Sequence, residues 1–351
     1  MKEKPTLTWK QALFALLAGI AVAGGCGGGD DDKAPDQQRN AQRKVGVEAP
    51  GIIAFRRYTD AAETHGVIFT LRPDGTGERQ VTRPPDGASD EFPQVSPDGR
   101  RIAWERCPAT ESCAVYTAAI DGSNAKRVEL TCTLKPVCDG ASVGWHPDGD
   151  RLVLTRASGR VREGNFGDQI QRSELVDVDL ESGRQRVIAR IDDWQGDLSS
   201  ASWSPDGRRV AADRWFSVFH PRPGRRIDVV PADGGTPKGV TPLDINAGDG
   251  PEWSPDGDAL VFRTNADSED GTGSQIATIG VDGEGLRRLD PFGDKRPVRS
   301  SAWSPDGDWI VFAAADRSGA FDLFVMRPDG TEPRPLTRTP VTDSAPDWGG
   351  S

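Results

Sequence analysis

The sequence predicts an all-β fold, a six-bladed β-propeller with four antiparallel strands in each blade. Three observations support this prediction. A short turn motif recurs, with spacings of 50, 58, 50 and 50 residues; apolar runs follow each copy; and the two ends of the chain each supply half of a repeat. Glycine and proline, 41 and 27 of 351 residues, also favour many turns and short strands over long helices.

The recurring motif is a turn built on consecutive Pro, Asp and Gly residues. Its five copies are residues 94–99, 144–149, 202–207, 252–257 and 302–307. Proline suits the second position of a type I turn, and glycine supplies the positive φ that lets a strand reverse. The residue before the turn ends a strand, and we expect the tryptophans at this position to pack in the core: Trp145, Trp203, Trp253, Trp303 and Trp348.

Short apolar runs such as residues 102–104, 260–262 and 310–312 follow the turns and predict buried strands. A third strand then ends at a second Gly turn, as in residues 323–330, and a short fourth strand follows, as in residues 335–337. Four strands in roughly 50 residues make one propeller blade.

The ends of the chain predict how the ring closes. The C-terminus stops at residues 345–348, where another turn would come next, and residues 51–55 match the strand that follows such a turn. We therefore expect the C-terminal strand to pair with the N-terminal blade, which protects edge strands that would otherwise be free to aggregate.

These motifs resemble the TolB-type six-bladed propellers built from WD40-like PD40 repeats, whose signature is W-S-P-D-G followed by a buried strand and a later DG turn. The resemblance covers residues 51–351 and implies the propeller fold. In place of the α/β domain that precedes the propeller in TolB, this chain has only residues 27–50. The resemblance therefore leaves open a role in a Tol-Pal type envelope system.

The N-terminal segment predicts export and a lipid anchor. Residues 1–25 combine a basic start with an apolar run of about a dozen residues, which is typical of a signal peptide. Residues 23–26 resemble the lipobox of bacterial lipoproteins, in which Cys26 is lipidated. Residues 26–50 then form a flexible Gly- and Asp-rich tether, and residues 51–351 form the propeller. Cleavage that releases a soluble protein is the alternative.

Four further cysteines, Cys107, Cys113, Cys132 and Cys138, form two C-x5-C segments. An even number of cysteines in an exported chain suggests disulfides rather than a zinc site, which usually has CxxC pairs. Three connectivities are possible. We favour local pairing, because each bridge would then pin one loop between two strand ends.

The formal net charge of -11 argues against a nucleic-acid partner. We expect contact with a bacterial membrane only through the lipid anchor, with the protein on the periplasmic side or at the cell surface. We also expect a monomer.

The loops predict a binding surface. The Pro-Asp-Gly turns and later DG turns fall on one face of the ring, here the turn face; the loops between second and third strands and the blade connections form the other, the variable face. Loops of unequal length often carry function. We expect an envelope protein or glycan to bind the variable face through aromatic and arginine side chains: Trp194, Arg214, Trp215, Phe216, Phe219 and Arg222. Alternatively, Trp215 and Phe216 continue a strand and pack inside a blade.

We expect no catalysis and no cofactor. Residues 140–144 match G-x-S-x-G but have no βαβ pattern around them, and the three histidines, His65, His146 and His220, are too scattered for a metal centre. Residues 244–250 and 267–270 offer acidic oxygens to Ca²⁺ without the EF-hand spacing. The alternative function is an envelope enzyme acting on a carbohydrate or lactone, with a metal in the central channel.

Overall fold

The computed structural model describes residues 46–109, 112–132, 134–135, 137–162, 169–192, 194–216, 224–265, 274–294, 296–316 and 318–350. These residues form twenty-four strands in six four-stranded antiparallel sheets, which confirms the predicted fold class. In this described part of the chain, no helix has the length and apolar character needed to cross a membrane.

Each sheet is one blade, and its strands follow in order from the ring centre outward. Blades 1 to 3 contain β1 (Ile52–Tyr58), β2 (Gly66–Leu71) and β3 (Arg79–Gln80); β4 (Ala88–Val95), β5 (Arg101–Pro108), β6 (Ala114–Ala119) and β7 (Lys126–Arg127); and β8 (Val137–Trp145), β9 (Arg151–Arg162), β10 (Gln169–Asp179) and β11 (Gln185–Asp192).

Blades 4 to 6 continue the same pattern. They contain β12 (Gly196–Trp203), β13 (Arg209–Phe216), β14 (Gly224–Pro231) and β15 (Lys238–Gly239); β16 (Ala247–Trp253), β17 (Ala259–Thr264), β18 (Gln275–Gly280) and β19 (Arg287–Leu289); and β20 (Val298–Trp303), β21 (Ile310–Ala315), β22 (Phe321–Met326) and β23 (Arg334–Pro335). The last strand, β24 (Asp343–Gly349), is the inner strand of blade 1.

The repeated turn is held by its own side chains. In blade 4, the Ser204 hydroxyl donates to the Asp206 carboxylate (2.6 Å) and accepts a hydrogen bond from the Arg209 amide (2.9 Å). Gly207 has a φ of 66°, which favours glycine. The Ser204 hydroxyl also holds the pKa of Asp206 below its usual value. The conformation of the turn therefore explains why the same Ser, Asp and Gly residues recur on the turn face.

The core lies between blades. Six hydrophobic clusters of described residues each join two neighbouring blades, and one of them joins blade 6 to blade 1. The repeated tryptophans pack at these boundaries; for example, the Trp145 indole donates to the Gln94 carbonyl oxygen (3.0 Å). Of the five, Trp303 is half-buried and the others are buried. Hydrophobic packing between neighbouring blades, more than packing within one blade, therefore stabilises the ring.

The C-terminal strand is held to the N-terminal blade by pairing and by charge. β24 pairs antiparallel with β1, and it also contacts β20 and β4. The Arg57 guanidinium contacts both carboxylate oxygens of Asp343, at 2.7 and 2.9 Å. Ser344 accepts a hydrogen bond from Arg56 (2.7 Å). The expected pairing of the last strand with the first blade is therefore present.

The described fold begins before residue 51. Val47 is buried in the cluster between blades 6 and 1, and its amide donates to the Pro73 carbonyl oxygen (2.9 Å). The Trp348 indole donates to the Pro50 carbonyl oxygen (2.9 Å). The expected tether boundary at residue 50 is therefore too late, because residues 46–50 pack against the propeller.

Candidate functional site

Two disulfides brace loops of the variable face. Cys107 is bonded to Cys113 across the β5–β6 loop, and Cys132 to Cys138 at the connection from blade 2 to blade 3. The local pairing that the sequence favours is confirmed. Each bridge joins a strand end to a neighbouring loop and limits the conformations of that loop.

Blade 3 rises above the variable face. β9 has 12 residues and β10 has 11, whereas β21 and β22 in blade 6 have 6 each. Because β9 starts at the turn face, its extra length lies on the variable face, where it adds roughly 20 Å at a rise of about 3.3 Å per residue. Val161, near the end of β9, is 44% exposed.

Two of the expected anchors lie at one corner of this face. Trp194 lies in the connection from β11 to β12, and Trp215 lies near the end of β13; both are half-buried. Asp197 pairs with Trp215 across the two strands, which brings Trp194 to the same corner. The backbone at Trp194 has a φ of 57°, uncommon for a bulky residue. This corner presents aromatic surface next to the raised blade 3.

Phe216 does not present such a surface. Its side chain is 4% exposed, and the guanidinium groups of Arg214 and Arg226 lie 4.5 and 4.9 Å from its ring. Both arginines pair with the fully buried carboxylate of Asp228, at 3.2 and 2.5 Å. Because side chains alternate along a strand, Trp215 points to the opposite side of blade 4. The expectation that Phe216 is an exposed anchor is wrong. The Arg214 guanidinium is engaged within blade 4 by Asp228 and the Phe216 ring.

Most of the other residues that the sequence singled out lie in parts of the chain that the structure does not describe. Phe219, Arg222, Cys26, His220 and residues 267–270 lie outside the described residues. The acidic segment 244–250 leads into β16; Asp244 is exposed, and Ile245 is buried between blades 4 and 5.

The residues considered for catalysis or metal binding take part in strand pairing, packing or backbone hydrogen bonds of the fold. Residues 140–144 lie inside β8, which leads through a turn into β9, so they form no strand-to-helix elbow. His146 packs edge-on against Trp203, with ring centroids 4.6 Å apart. His65 donates from Nδ1 to the Ala88 carbonyl oxygen (2.9 Å) in the tautomer that satisfies it.

One group of three possible metal ligands occurs among the described residues: Glu105, Cys107 and Cys113. The two sulfurs are bonded to each other, and metal binding by cysteine needs a thiolate. The donor set therefore does not suit a metal ion while the disulfide is intact.

The inner strands share a feature that the sequence analysis missed. Each contains a β-bulge three residues before the repeated tryptophan, or before Val95 in blade 2, and the residue there has a positive φ. Five of these residues are small, namely Ser142, Ser200, Gly250, Ser300 and Ala345. The sixth is Phe92, in blade 2, with a φ of 47° and 44% exposure.

Two carboxyl groups on inner strands lie close enough to interact electrostatically. Glu252 directly precedes Trp253, the last residue of β16, and Asp347 directly precedes Trp348 in β24. Asp347 accepts a hydrogen bond from the Val95 amide (2.6 Å). Burial raises the pKa of Asp347 to about 7. Burial, with the nearby Asp347 charge, also raises the pKa of Glu252 well above its usual value.

The sequence did contain the signal for Phe92. Aligning the six inner strands on the repeated tryptophan, with Val95 at this position in blade 2, places Phe92 in register with Ser, Gly and Ala residues. The carboxyl pair had no such signal, because Glu252 and Asp347 belong to blades that are not neighbours in the ring.

Comparisons with known proteins agree with the architecture. A family model described as "WD domain, G-beta repeat" matches residues 286–318. The uncharacterized protein Atu1656 of Agrobacterium fabrum is 30% identical over 155 residues, which are 43% of this chain and 48% of that protein. The matched part is thus about half the length of this relative.

Solved structures show the shared fold. TolB from Acinetobacter baumannii superposes with a TM-score of 0.64 at 19% identity, covering 87% of this chain and 68% of that one. Oligogalacturonate lyase from Vibrio parahaemolyticus has a TM-score of 0.53 at 14% identity, covering 85% and 83%. The chain therefore has the six-bladed propeller fold found in TolB.

Proposed function

We propose that this chain is an extracytoplasmic, lipid-anchored propeller that binds an envelope protein or glycan and catalyses no reaction. The observation that carries the proposal is the asymmetry of the variable face. Both disulfides, the long β9–β10 hairpin, Trp194 and Trp215 belong to blades 2 to 4 or to their connections. Braced loops lose less entropy on binding, and tryptophan is enriched among residues that dominate binding energy.

The two disulfides support export, because such bonds persist in oxidising compartments outside the cytoplasm. The fold shared with TolB fits a binding role. The lipid anchor rests on the sequence around Cys26.

Cys26→Ser is expected to abolish membrane attachment. A serine hydroxyl cannot form the thioether that carries the lipid, so the variant should move to the soluble fraction or remain unprocessed. Detergent-phase partitioning of wild-type and variant proteins measures this. If the variant partitions into the detergent phase as the wild type does, the lipid anchor is excluded.

Trp215→Ala and Phe216→Ala are expected to have opposite effects, although the residues are neighbours. Trp215→Ala should weaken partner binding by about 2 kcal/mol without lowering the melting temperature. Phe216→Ala should lower the free energy of unfolding by about 3–5 kcal/mol, because it removes a buried ring. Calorimetric melting and affinity measurements on both variants separate the two roles; an equal stability loss in both would place Trp215 in the core as well.

A photo-crosslinking amino acid at each face identifies the docking surface. Val161 on the β9–β10 hairpin and Asp306 on the turn face are exposed or half-exposed positions suited to this comparison. The proposal expects one partner to be captured from position 161 and not from position 306. Capture of that partner only from position 306 would refute docking on the variable face.

An envelope enzyme with a channel metal is the second candidate. The electrostatically coupled carboxyl groups of Glu252 and Asp347 on two inner strands favour it, as does the fold shared with oligogalacturonate lyase. Elemental analysis of purified protein decides between the candidates: a stoichiometric transition metal supports the enzyme.

A further inference from the structure

Glu105 is a buried carboxylate beside a disulfide. The residue is 1% exposed, and burying a carboxylate is costly unless polar neighbours satisfy it. One oxygen, Oε1, accepts a hydrogen bond from the Ser142 amide, at the bulge of the neighbouring blade 3. The other oxygen, Oε2, lies 4.0 Å from the Cys107 sulfur. The amide therefore fixes the direction in which the carboxylate faces the disulfide.

Strand pairing holds the two cysteines next to each other. Cys107 lies near the end of β5 and pairs with Ser89 on β4, and its neighbour Arg106 pairs with Ala114 on β6. Cys113 directly precedes Ala114. The antiparallel register thus places the two cysteines side by side at the loop end of the β5–β6 hairpin. Because the backbone hydrogen bonds of this hairpin do not involve sulfur, the placement persists when the disulfide is reduced.

The three side chains together form a donor set for one metal ion. Glu105 and Cys107 are two residues apart on β5, so their side chains lie on the same face of the strand. A carboxylate oxygen and the sulfurs of Cys107 and Cys113 all lie within 4.8 Å of one another. Thiolate sulfur combined with a carboxylate oxygen suits Zn²⁺. A metal-binding carboxylate is usually hydrogen-bonded in turn, and the Ser142 amide provides this bond.

The bond between the two sulfurs decides whether this set can bind a metal. Metal binding needs thiolates, and two sulfurs on one tetrahedral Zn²⁺ lie about 3.8 Å apart, farther than a disulfide permits. A dithiol reductant opens the site: one of its thiolates attacks one sulfur, and the other cysteine leaves as a thiolate. The second thiol of the reductant then displaces the first cysteine and closes a disulfide. Two electrons and two protons pass from the dithiol to the cysteines, and Zn²⁺ binding afterwards releases the two thiol protons.

We propose that Glu105, Cys107 and Cys113 form a Zn²⁺ site that opens when the Cys107–Cys113 disulfide is reduced. The three side chains occupy three of four tetrahedral positions. Both cysteines are half-buried at the variable face, so water reaches the fourth position. The disulfide braces the β5–β6 loop in the oxidised protein, and the metal ion braces it in the reduced protein. The site goes beyond the proposed binding role and does not depend on it.

The second disulfide is an internal control. Cys132 and Cys138 are bonded across the same separation of six residues and also belong to the variable face. Among the described residues, no His, Asp or Glu completes a group of three metal ligands with them. Reduction of this pair therefore gives two thiols without a third ligand, and we expect much weaker Zn²⁺ binding there.

Zn²⁺ titration of the purified full chain tests the proposal. The parent protein carries Cys26→Ser, so that only the four paired cysteines supply thiols. Cys132→Ser and Cys138→Ser are added to remove the second pair. After reduction with tris(2-carboxyethyl)phosphine, competition with a chromophoric zinc chelator measures the affinity. The reduced protein is expected to bind one Zn²⁺, and the oxidised protein none. Co²⁺ in place of Zn²⁺ should add a thiolate-to-metal absorption band.

Glu105→Gln is the decisive variant. The glutamine side-chain oxygen can still accept the hydrogen bond from the Ser142 amide, but it lacks the negative charge that binds the metal ion. The reduced variant should therefore bind Zn²⁺ about tenfold more weakly or worse. Glu91→Gln, at the position opposite Glu105 on β4, is the matched control and should bind like the parent. Circular dichroism of each reduced protein confirms that the fold is retained.

Three results would overturn the proposal. The first is Zn²⁺ binding by the reduced protein that Glu105→Gln leaves unchanged, because the carboxylate would then not be a ligand. The second is a reduced protein that binds no Zn²⁺, or a disulfide that the reductant does not open in the folded protein. The third is equal Zn²⁺ binding by the oxidised and reduced proteins, which would place the ion elsewhere, as the candidate envelope enzyme expects.

Discussion

Deletion of residues 345–351 is expected to unfold most of the protein, although the segment is terminal. It removes most of β24, the inner strand of blade 1, and leaves the inner edge of β1 unpaired. It also removes the Trp348 side chain, which is 5% exposed. Loss of one buried tryptophan costs about 3–5 kcal/mol, a large part of the 5–15 kcal/mol by which a typical domain is stable.

Thermal unfolding followed by circular dichroism measures this effect. The matched control deletes only residues 350–351, which follow β24, and should melt near the wild-type temperature. A normal melting temperature for the longer deletion would show that the ring does not need its C-terminal strand.

The free energy of unfolding is expected to fall as the pH rises from about 5 to about 8. Asp347 has a pKa of about 7 in the folded protein against 3.8 ordinarily, so the folded state binds this proton more tightly than the unfolded state. The stabilisation is complete below about pH 4 and is lost as the pH rises through about 7. A shift of three units corresponds to on the order of 4 kcal/mol.

Asp347→Asn is the control for this pH dependence. The asparagine side-chain oxygen can still accept the hydrogen bond from the Val95 amide, but it carries no titrating proton. Urea unfolding at about pH 5 and about pH 8 should give a smaller difference in stability for this variant than for the wild type, and the remaining difference reports Glu252, whose pKa burial also raises. Glu252→Gln should raise stability at about pH 8, because it removes the neighbouring negative charge. The same slope in the wild-type protein and Asp347→Asn would show that another group is responsible.

The architecture was predictable because one local motif sets it. The Ser-Pro-Asp-Gly turn satisfies its own hydrogen bonds within six residues, as Ser204, Asp206 and Arg209 show, so each copy specifies one hairpin. Counting copies and the two half-repeats gives six blades, which the six sheets confirm.

The binding surface was less predictable because it depends on contacts between strands. The burial of Phe216 follows from Arg226 and Asp228 on β14, whose register with β13 no local pattern reveals. The packing of residues 46–50 depends on Leu336 and Trp348, almost 300 positions away. The Glu252 and Asp347 pair likewise exists only because the inner strands of two blades that are not neighbours in the ring come close together.

The location of β24 in blade 1 also fixes the order in which the propeller is completed during synthesis. Arg57 and Asp343 are 286 positions apart, and closing so long a segment costs about 3 kcal/mol more entropy than closing a hairpin of roughly ten residues. Blade 1 emerges first, yet it lacks its inner strand until β24 has left the ribosome. A stalled or prematurely terminated chain therefore has an unpaired strand edge on blade 1, the first blade to be synthesised. Chaperones and proteases can recognise this edge.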